Sequence, residues 1–453
     1  MIKFELTKDF IGELNERIEN KDQKSIIAMI TDCHPADIAE ILDELEFENA
    51  CFLFELLEDN IAADVLVELE DDLREELLKI HSPKEIAEEF VDNMDSDDAA
   101  DIISELPENK KQEVLSHLED QDLANDIVDL LNYDEDTAGG LMAKELVKIE
   151  ENLSVLKCLN VMRAQAEEVT RVHSIYVVDS KNRLKGRLSL KDLITANSKA
   201  KVKDIFIPKV DFVTVDQKGE EVARIMSKYD LEAIPVVNKK NQLLGRITID
   251  DILDLMKEEA EKDYQLASGI ASDVEADDTI FQLTKARLPW LFLGLIGGLG
   301  SVFILKDYEI IMSKPELRNL FFYTPLIAAM AGNVGVQSSA IIVQGLANDV
   351  VKGSLFSRLI KEVGLSLING FSLSMILVLF GAIIEQDLII SFTIAGSMMT
   401  VIIVAALVGT FIPIILNRRG INPAIATGPF ITTCNDIFGI FLFFYIAQLV
   451  LGF

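Results

Sequence analysis

The chain has 453 residues, with 75 Asp and Glu against 42 Lys and Arg for a formal net charge of −33, and it is too long and too uneven for one ordinary core. Residues 1–280 hold 67 of the acidic and 32 of the basic side chains, which leaves 8 and 10 for an apolar remainder. So acidic a front half excludes nucleic acid and anionic lipid headgroups as partners and favours cations, hard ones where only oxygen ligands are on offer.

The first thirty residues are charged throughout and lack the short apolar core of a secretory signal, so a cytoplasmic N-terminus is expected. Cys33, Cys51, Cys158 and Cys434 form no CxxC, and the four histidines show no i,i+4 pair, which supports neither a disulfide framework nor a zinc site. Residues 1–135 read as an acidic α-helical domain. Within it an Ala-acid or Ala-amide pair recurs at Ala39–Glu40, Ala63–Asp64, Ala87–Glu88, Ala100–Asp101 and Ala124–Asn125, at steps of 24, 24, 13 and 24 residues. This repetition predicts a solenoid-like stack of short helices. The run MDSDDAAD (94–101) puts Asp97 and Asp101 at i,i+4 on one helix face, where like charges are unfavourable without a cation.

A duplication follows, over 136–200 and 201–256. SIYVVDSKNRLKGRLSLKDLI matches AIPVVNKKNQLLGRITIDDIL at an offset of 59, so Val177, Gly186 and Asp192 correspond to Val236, Gly245 and Asp251. Strand, polar turn, strand and helix in each copy resemble a tandem CBS pair, an α+β module. Both copies keep a Gly-x-x-Ser/Thr-x-x-Asp run, with Ser189 and Asp192 in one and Thr248 and Asp251 in the other. The run reads either as a nucleotide site, ATP being the implied ligand, or as a plain strand-to-helix cap. Residues 257–283 then form a charged connecting region, entered by a helix on which Asp251, Asp254, Glu258 and Glu259 share a side. A solvated face is the ordinary meaning of such a run.

From residue 284 the chain is predominantly apolar. Five stretches, 287–305, 318–347, 358–384, 388–416 and 424–451, each approach the ~20 residues that cross ~30 Å of hydrocarbon. Lys285, Arg287, Lys352, Arg358, Lys361, Arg418 and Arg419 fall on the inner side against Lys306, Lys314 and Arg318 outside, which predicts a multi-pass plasma-membrane protein with an extracytoplasmic C-terminus. Asp436 is the charged exception inside a span, with Thr432, Thr433 and Asn435 beside it. It reads as an ion-pathway carboxylate ahead of one satisfied by a neighbouring helix. MAGNVGVQSSA (330–340) combines Gly332 and Gly335, which allow close helix approach, with Asn333 and Gln337 on one face.

YDEDTAGGLMAKELV (133–147), MDSDDAAD, the tandem repeat, AGNVGVQ and the Asn435–Asp436 pair resemble, in this order, the MgtE family of magnesium channels. That resemblance implies a homodimer in the lipid bilayer, each chain with a helical N domain, a CBS pair, a connecting or plug helix and five transmembrane helices. It implies Mg²⁺ as both substrate and regulator. Asp436 would be the pore carboxylate, with Gly332, Asn333, Gly335 and Thr432 on the pore motif and Val336 where relatives carry Asn. Asp97 and Asp101 of the N domain, Glu220 and Asp230 of the CBS pair, and Asp251, Asp254, Glu259 and Asp263 of the plug helix would hold regulatory Mg²⁺. Lys262 replaces a usually acidic residue and Asn422 a usual Asp, so those sensor sites are expected to be weaker or missing. The expected function is Mg²⁺ uptake shut off by high cytosolic Mg²⁺. The competing reading is a nucleotide-regulated CBS-containing transporter of another divalent cation or solute. No nucleophile–base pair or phosphate loop suggests an enzyme.

Overall fold

The computed structural model describes residues 6–166, 169, 171–272, 274, 278–309, 311, 314, 317–348, 350, 351 and 353–452. Two compact units divide the chain, Met1–Met256 and Lys257–Phe453, and the division falls within a single helix.

The first unit opens with ten short helices: α1 Lys8–Glu19, α2 Gln23–Ile30, α3 Pro35–Asp43, α4 Phe47–Phe54, α5 Asp59–Glu68, α6 Asp71–Ile80, α7 Pro83–Glu85, α8 Ser96–Glu105, α9 Glu108–His117 and α10 Gln121–Leu130. Local chemistry sets their starts. At α3, His34 accepts from the Ala36 amide, Asp37 accepts from the His34 amide, and Pro35 occupies the first turn where its missing N–H is no loss. Four of the five recurring alanines, Ala39, Ala63, Ala87 and Ala100, are at most 5% exposed. The repeat therefore marks where a helix needs its smallest side chain to approach its neighbours. Around them Ile38, Leu42, Leu53, Phe54, Leu66, Ile86 and Phe90 form one core, each fully buried side chain contributing about 1.5–3 kcal/mol. On α8 that core takes Ala99, Ala100, Ile102 and Ile103, leaving Asp97, Asp98 and Asp101 away from it.

The duplicated region forms two three-stranded sheets. β1 (Val147–Glu150) pairs parallel with β2 (Ile175–Val178), and β2 pairs antiparallel with β3 (Leu184–Leu188). β4 (Val213–Thr214), β5 (Ala233–Val237) and β6 (Leu243–Thr248) repeat that plan. Val177 faces Gly186 and Val236 faces Gly245, and the register slips one residue later in both sheets, at the same offset of 59 that the sequence shows. Helices α11 (Val155–Gln165), α12 (Leu190–Thr195) and α13 (Gly219–Tyr229) accompany the strands.

The two copies also exchange flanking segments, which the duplication does not announce. Residues 138–143 join the second sheet: Ala138 and Gly139 amides donate to Gln217 and Val215 carbonyls, and Ala143 and Arg246 exchange backbone hydrogen bonds at 2.9 Å each way. Conversely Val202 and Lys203 donate to Leu153 and Glu151 of the first copy, and Ile207 pairs with Arg187.

Helix α14 (Ile249–Ser268) leads into the second unit, whose helices are α15 (Ile280–Asp307), α16 (Thr324–Ala347), α17 (Leu355–Ile383), α18 (Leu388–Arg418) and α19 (Gly428–Leu451). With short helical turns added at Arg318 and Pro423, these are five segments of 28 to 31 residues with mean hydropathy of 1.6 to 2.6 in their most apolar stretches, long and apolar enough to cross a membrane. The first begins at Ile280, seven residues ahead of the expected 287, because Thr279 and Gln282 form a reciprocal cap there. Lys285 and Arg287 thus lie in its opening turns, and Lys352 lies outside the described residues. Small residues set the closest approaches. A Cβ on Gly409 would lie 2.3 Å from the Gly335 carbonyl oxygen, so α18 and α16 touch backbone to backbone.

Candidate metal sites

In the first unit Asp95, Asp97 and Glu145 bring one carboxylate oxygen each to within 4.8 Å of one another. Asp95 precedes the first turn of α8, where a carboxylate is favoured by the helix dipole. Ser96, fully buried, ties that turn to the distant partner: its Oγ donates to Glu145 Oε2 at 2.8 Å and accepts from the Lys144 amide at 2.9 Å. Asp251 is fixed at the start of α14, accepting from the Thr248 amide at 3.0 Å and from Thr248 Oγ1 at 2.6 Å.

The group is charged against its interest. Burial, then the fields of Asp98, Asp251, Glu145 and Asp95, push the Asp97 carboxyl well up from the usual range, and its Oδ1 is buried without a hydrogen-bond partner among the described residues. Asp98 is pushed up to about 7 by burial and then by Asp251, Asp95 and Asp101. Asp101, one turn on, also reaches about 7 through burial, Glu135 and Glu105, against an opposing Arg74. Burial raises Asp95 and Asp251 too, in both cases against a lowering field from Arg246. Crowded carboxylates of this kind relax by taking up protons or a cation. An all-oxygen donor set fits a hard divalent ion, and the 4.8 Å spread is slightly wider than the ~4.2 Å across a Mg²⁺ first shell, so an ion would draw the oxygens in or be held through water. A cavity of about 290 Å³ lies here, lined by Asp95, Asp97 and Asp251 and also by Arg171, His173 and Arg246.

Of the expected regulatory residues, Asp97 stands in this cluster and Asp101 beside it. Glu220 and Asp230 are exposed at the two ends of α13, about 15 Å apart by helical rise. Asp230 closes that helix in the left-handed conformation at φ 51°. On α14, Asp254 is exposed and Glu259 half-buried, while Lys262 pairs with Glu258 at 3.5 Å. Asp263 accepts from Asn422 Nδ2 at 2.8 Å. Asp95, Asp98 and Glu145 escaped sequence reasoning although each lies in a motif already singled out, because nothing in the order of residues joins position 145 to α8.

Both Gly-x-x-Ser/Thr-x-x-Asp runs act as helix caps: Ser189 accepts from the Lys191 amide at 3.2 Å, and Thr248 is locked to Asp251. Thr248 is only 8% exposed, whereas Ser189 and Asp192 remain half-exposed.

In the second unit Asp436 is half-buried on α19. Gly332 of α16 faces it, since a Cβ there would lie 3.4 Å from Asp436 Oδ1 and 3.2 Å from Thr432 Cγ2. Thr432 donates its hydroxyl to the Gly428 carbonyl at 3.0 Å, leaving the oxygen free to accept. Gly335 makes room for Asn435, whose Nδ2 would be 1.8 Å from any Cβ at 335. Asn435 is 1% exposed and neither amide atom has a hydrogen-bond partner among the described residues. Asn333 and Gln337 are exposed on α16, and Val336 is half-buried. Asp436 is not the sole carboxylate within these helices. Glu362, in the second turn of α17, accepts from Ser338 Oγ at 2.6 Å. The sequence reading missed it because Arg358 and Lys361 made that end of the helix look like a solvated flank.

The family model described as "MgtE: Divalent cation transporter" matches residues 324–446, that of the MgtE intracellular N domain 33–136, and that of the CBS domain 138–199 and 202–258. The magnesium transporter MgtE of Thermus thermophilus is 32% identical over 459 residues, which cover 97% of this chain and 98% of that protein. The magnesium transporter MgtE of Bacillus subtilis is 34% identical over 317 residues, 70% of each chain. Among solved structures, the cytosolic domain of the Mg²⁺ channel MgtE in complex with ATP is 36% identical with a TM-score of 0.51, covering 54% of this chain and 99% of that one. With a full-length relative at this identity and matching models for all three parts of the chain, the protein belongs to the MgtE family of divalent cation transporters.

Proposed function

We propose that this chain mediates Mg²⁺ uptake across the plasma membrane past Asp436, and that its acidic front half closes the path when cytosolic Mg²⁺ rises. The observation that carries the transport reading is a carboxylate inside a helix long and apolar enough to cross a membrane, with Gly332 packed so closely on it that a methyl there would lie 3.4 Å from Asp436 Oδ1. An anionic oxygen at that depth is costly unless a cation or water compensates it. Mg²⁺ sheds water reluctantly, so a path that holds the hydrated ion by outer-shell hydrogen bonds to Asp436 and Thr432 avoids the largest cost of entry. Asn333 and Gln337, exposed on the single chain, suit a water-lined path or a second copy better than hydrocarbon. A homodimer with one Asp436 from each protomer, and a C-terminus outside the cell, complete this reading.

The regulatory part rests on the Asp95, Asp97 and Glu145 group with Asp98, Asp101 and Asp251 around it. Without a cation these carboxylates repel and work against close packing of α8 on the start of α14. With Mg²⁺ bound the same packing is favoured, by RT ln(1 + [Mg²⁺]/Kd) per site. Glu220, Asp230, Asp254, Glu259 and Asp263 would add sites of the same kind, and several sites biasing one two-state arrangement give a steep response. A nucleotide is a second regulator, favoured by the relative solved with ATP. Of the two runs, Ser189 and Asp192 would hold it, since they remain half-exposed whereas Thr248 is buried and bonded to Asp251 Oδ2.

The test is Mg²⁺ uptake into proteoliposomes with internal Mg²⁺ varied, with and without ATP. Uptake should fall as internal Mg²⁺ reaches the millimolar range. Flux indifferent to internal Mg²⁺ but responsive to ATP would favour nucleotide control instead.

A further inference from the structure

Arg246 is a cation buried where a cation site is expected. It lies on β6 with 6% of its surface exposed and lines the same cavity as Asp95, Asp97 and Asp251. Its backbone is pinned on both sides of the chain: the amide donates to the Ala143 carbonyl and the carbonyl accepts from the Ala143 amide, two residues before Glu145. The guanidinium is poorly served by this position. Nη1 donates to the Arg171 carbonyl at 3.0 Å, while Nε is buried with no hydrogen-bond partner among the described residues. Among the described residues it forms no direct ion pair of the kind that Arg74 makes with Glu105 at 2.6 Å. A buried guanidinium without a paired carboxylate is unfavourable unless the surrounding field repays its lost hydration. The carboxylates across the cavity supply that field.

We infer that Arg246 is a built-in counter-cation of the acidic cluster, which opposes Mg²⁺ there and sets the concentration at which the cluster fills. The inference rests on the regulatory reading above and deepens it. With the site free of metal, the guanidinium offsets part of the repulsion among Asp95, Asp97 and Asp251. When Mg²⁺ arrives, its two charges meet a fixed positive charge in a place poorly screened by water, and affinity falls. At an effective dielectric constant of about 20, charges several ångströms apart interact strongly enough for one such neighbour to change a dissociation constant roughly tenfold. The corresponding residue of the first copy, Arg187, is exposed on β3 and has no such role. The feature therefore belongs to the surroundings of the second copy, not to the CBS plan.

The experiment measures the Mg²⁺ midpoint for protease protection of the full chain in detergent, and the midpoint for inhibition of flux in proteoliposomes. It compares wild type with Arg246→Gln, Arg246→Met and Arg246→Lys. The neutral variants should shift both midpoints about tenfold towards lower Mg²⁺, and Arg246→Lys should stay within about twofold of wild type. Unchanged midpoints, a shift to higher Mg²⁺, or a Lys variant that moves as far as Gln would overturn the inference. So would loss of the fold in both neutral variants, which would make Arg246 a structural support of the sheet. If the wild type shows no Mg²⁺-dependent protection, the regulatory reading itself falls and the role of Arg246 falls with it. Wild-type protection with unmoved variants removes Arg246 alone.

Discussion

Asn422 donates its amide to Asp263 at 2.8 Å while its own Oδ1 accepts from the Ala424 amide at the same distance, so one side chain caps the turn before the last span and ties it to the end of α14. Close backbone contacts frame the link. Gly269, at φ +82°, abuts Pro429, and a Cβ on Gly428, at φ +48°, would meet the Ala267 carbonyl oxygen at 2.2 Å. A neutral amide against a carboxylate holds this contact without a metal ion. The carboxylate that family resemblance leads one to expect at 422 would instead repel Asp263 and need a cation between them.

Asn422→Asp should therefore convert a Mg²⁺-independent contact into a Mg²⁺-dependent one. Losing a hydrogen bond to a charged group costs about 2 kcal/mol, roughly thirtyfold in the balance between docked and released arrangements. Flux at low internal Mg²⁺ should rise and its inhibition by Mg²⁺ should become steeper, as measured in proteoliposomes. Asn422→Ala should raise basal flux without the added steepness. Equal Mg²⁺ curves for the Asp and Ala variants would show that no ion enters between residues 422 and 263.

Asp436→Ala should abolish Mg²⁺ flux while leaving the protein folded, because the carboxylate packed against Gly332 is the charge a passing cation would meet. Asp436→Asn should retain partial flux, since an amide oxygen still bonds to the ion's water shell. Wild-type uptake by a well-folded Ala variant would remove Asp436 from the path. Glu362, held by Ser338, gives the internal comparison: Glu362→Gln should leave selectivity intact.

Gly332 and Gly335 should separate fold from transport. At Gly335 an added methyl would collide with Asn435, so Gly335→Ala should destabilise the helical bundle by about 1–3 kcal/mol, visible as a lower unfolding temperature in detergent. At Gly332 the nearest atoms lie 3.2 and 3.4 Å from where an added methyl would sit, so Gly332→Ala should fold near normally and reduce flux by crowding Asp436. A reversed ranking would mean that Asn435 moves more easily than Asp436.

How much of this the sequence disclosed depends on whether the signal was local. Helix α8 and its acidic face follow from spacing within MDSDDAAD, and the paired sheets from an offset of 59 that the register reproduces. The five apolar helices follow from length and hydropathy alone. What stayed hidden depends on segments meeting across the chain. Glu145 reaches α8 through Ser96, 49 residues away, and it does so because residues 138–143 pair with the second sheet and not with the first. The same crossing buries Arg246 while Arg187, its equivalent by alignment, remains exposed. Periodicity reports which face is buried, but not which distant segment covers it.

The acidic cluster also fixes a dependence on pH. Asp98 and Asp101 titrate at about 7 in the folded protein, against an ordinary value of 3.8. A carboxyl with a raised folded value binds a proton more tightly folded than unfolded. Its penalty is absent below about 4, grows as pH rises, and is complete above about 7. In EDTA, the unfolding temperature of the cytosolic part should therefore fall between pH 5 and pH 8. Mg²⁺ competes with protons for the same oxygens, so its stabilising effect should be larger at pH 8 than at pH 6, and calorimetry of the full chain in detergent can follow both trends. Asp98→Asn should flatten the metal-free profile and reduce the Mg²⁺ gain at pH 8. A metal-free stability that rises with pH over this range would contradict the raised titration of these carboxyls, and with it the view that their mutual repulsion is what Mg²⁺ relieves.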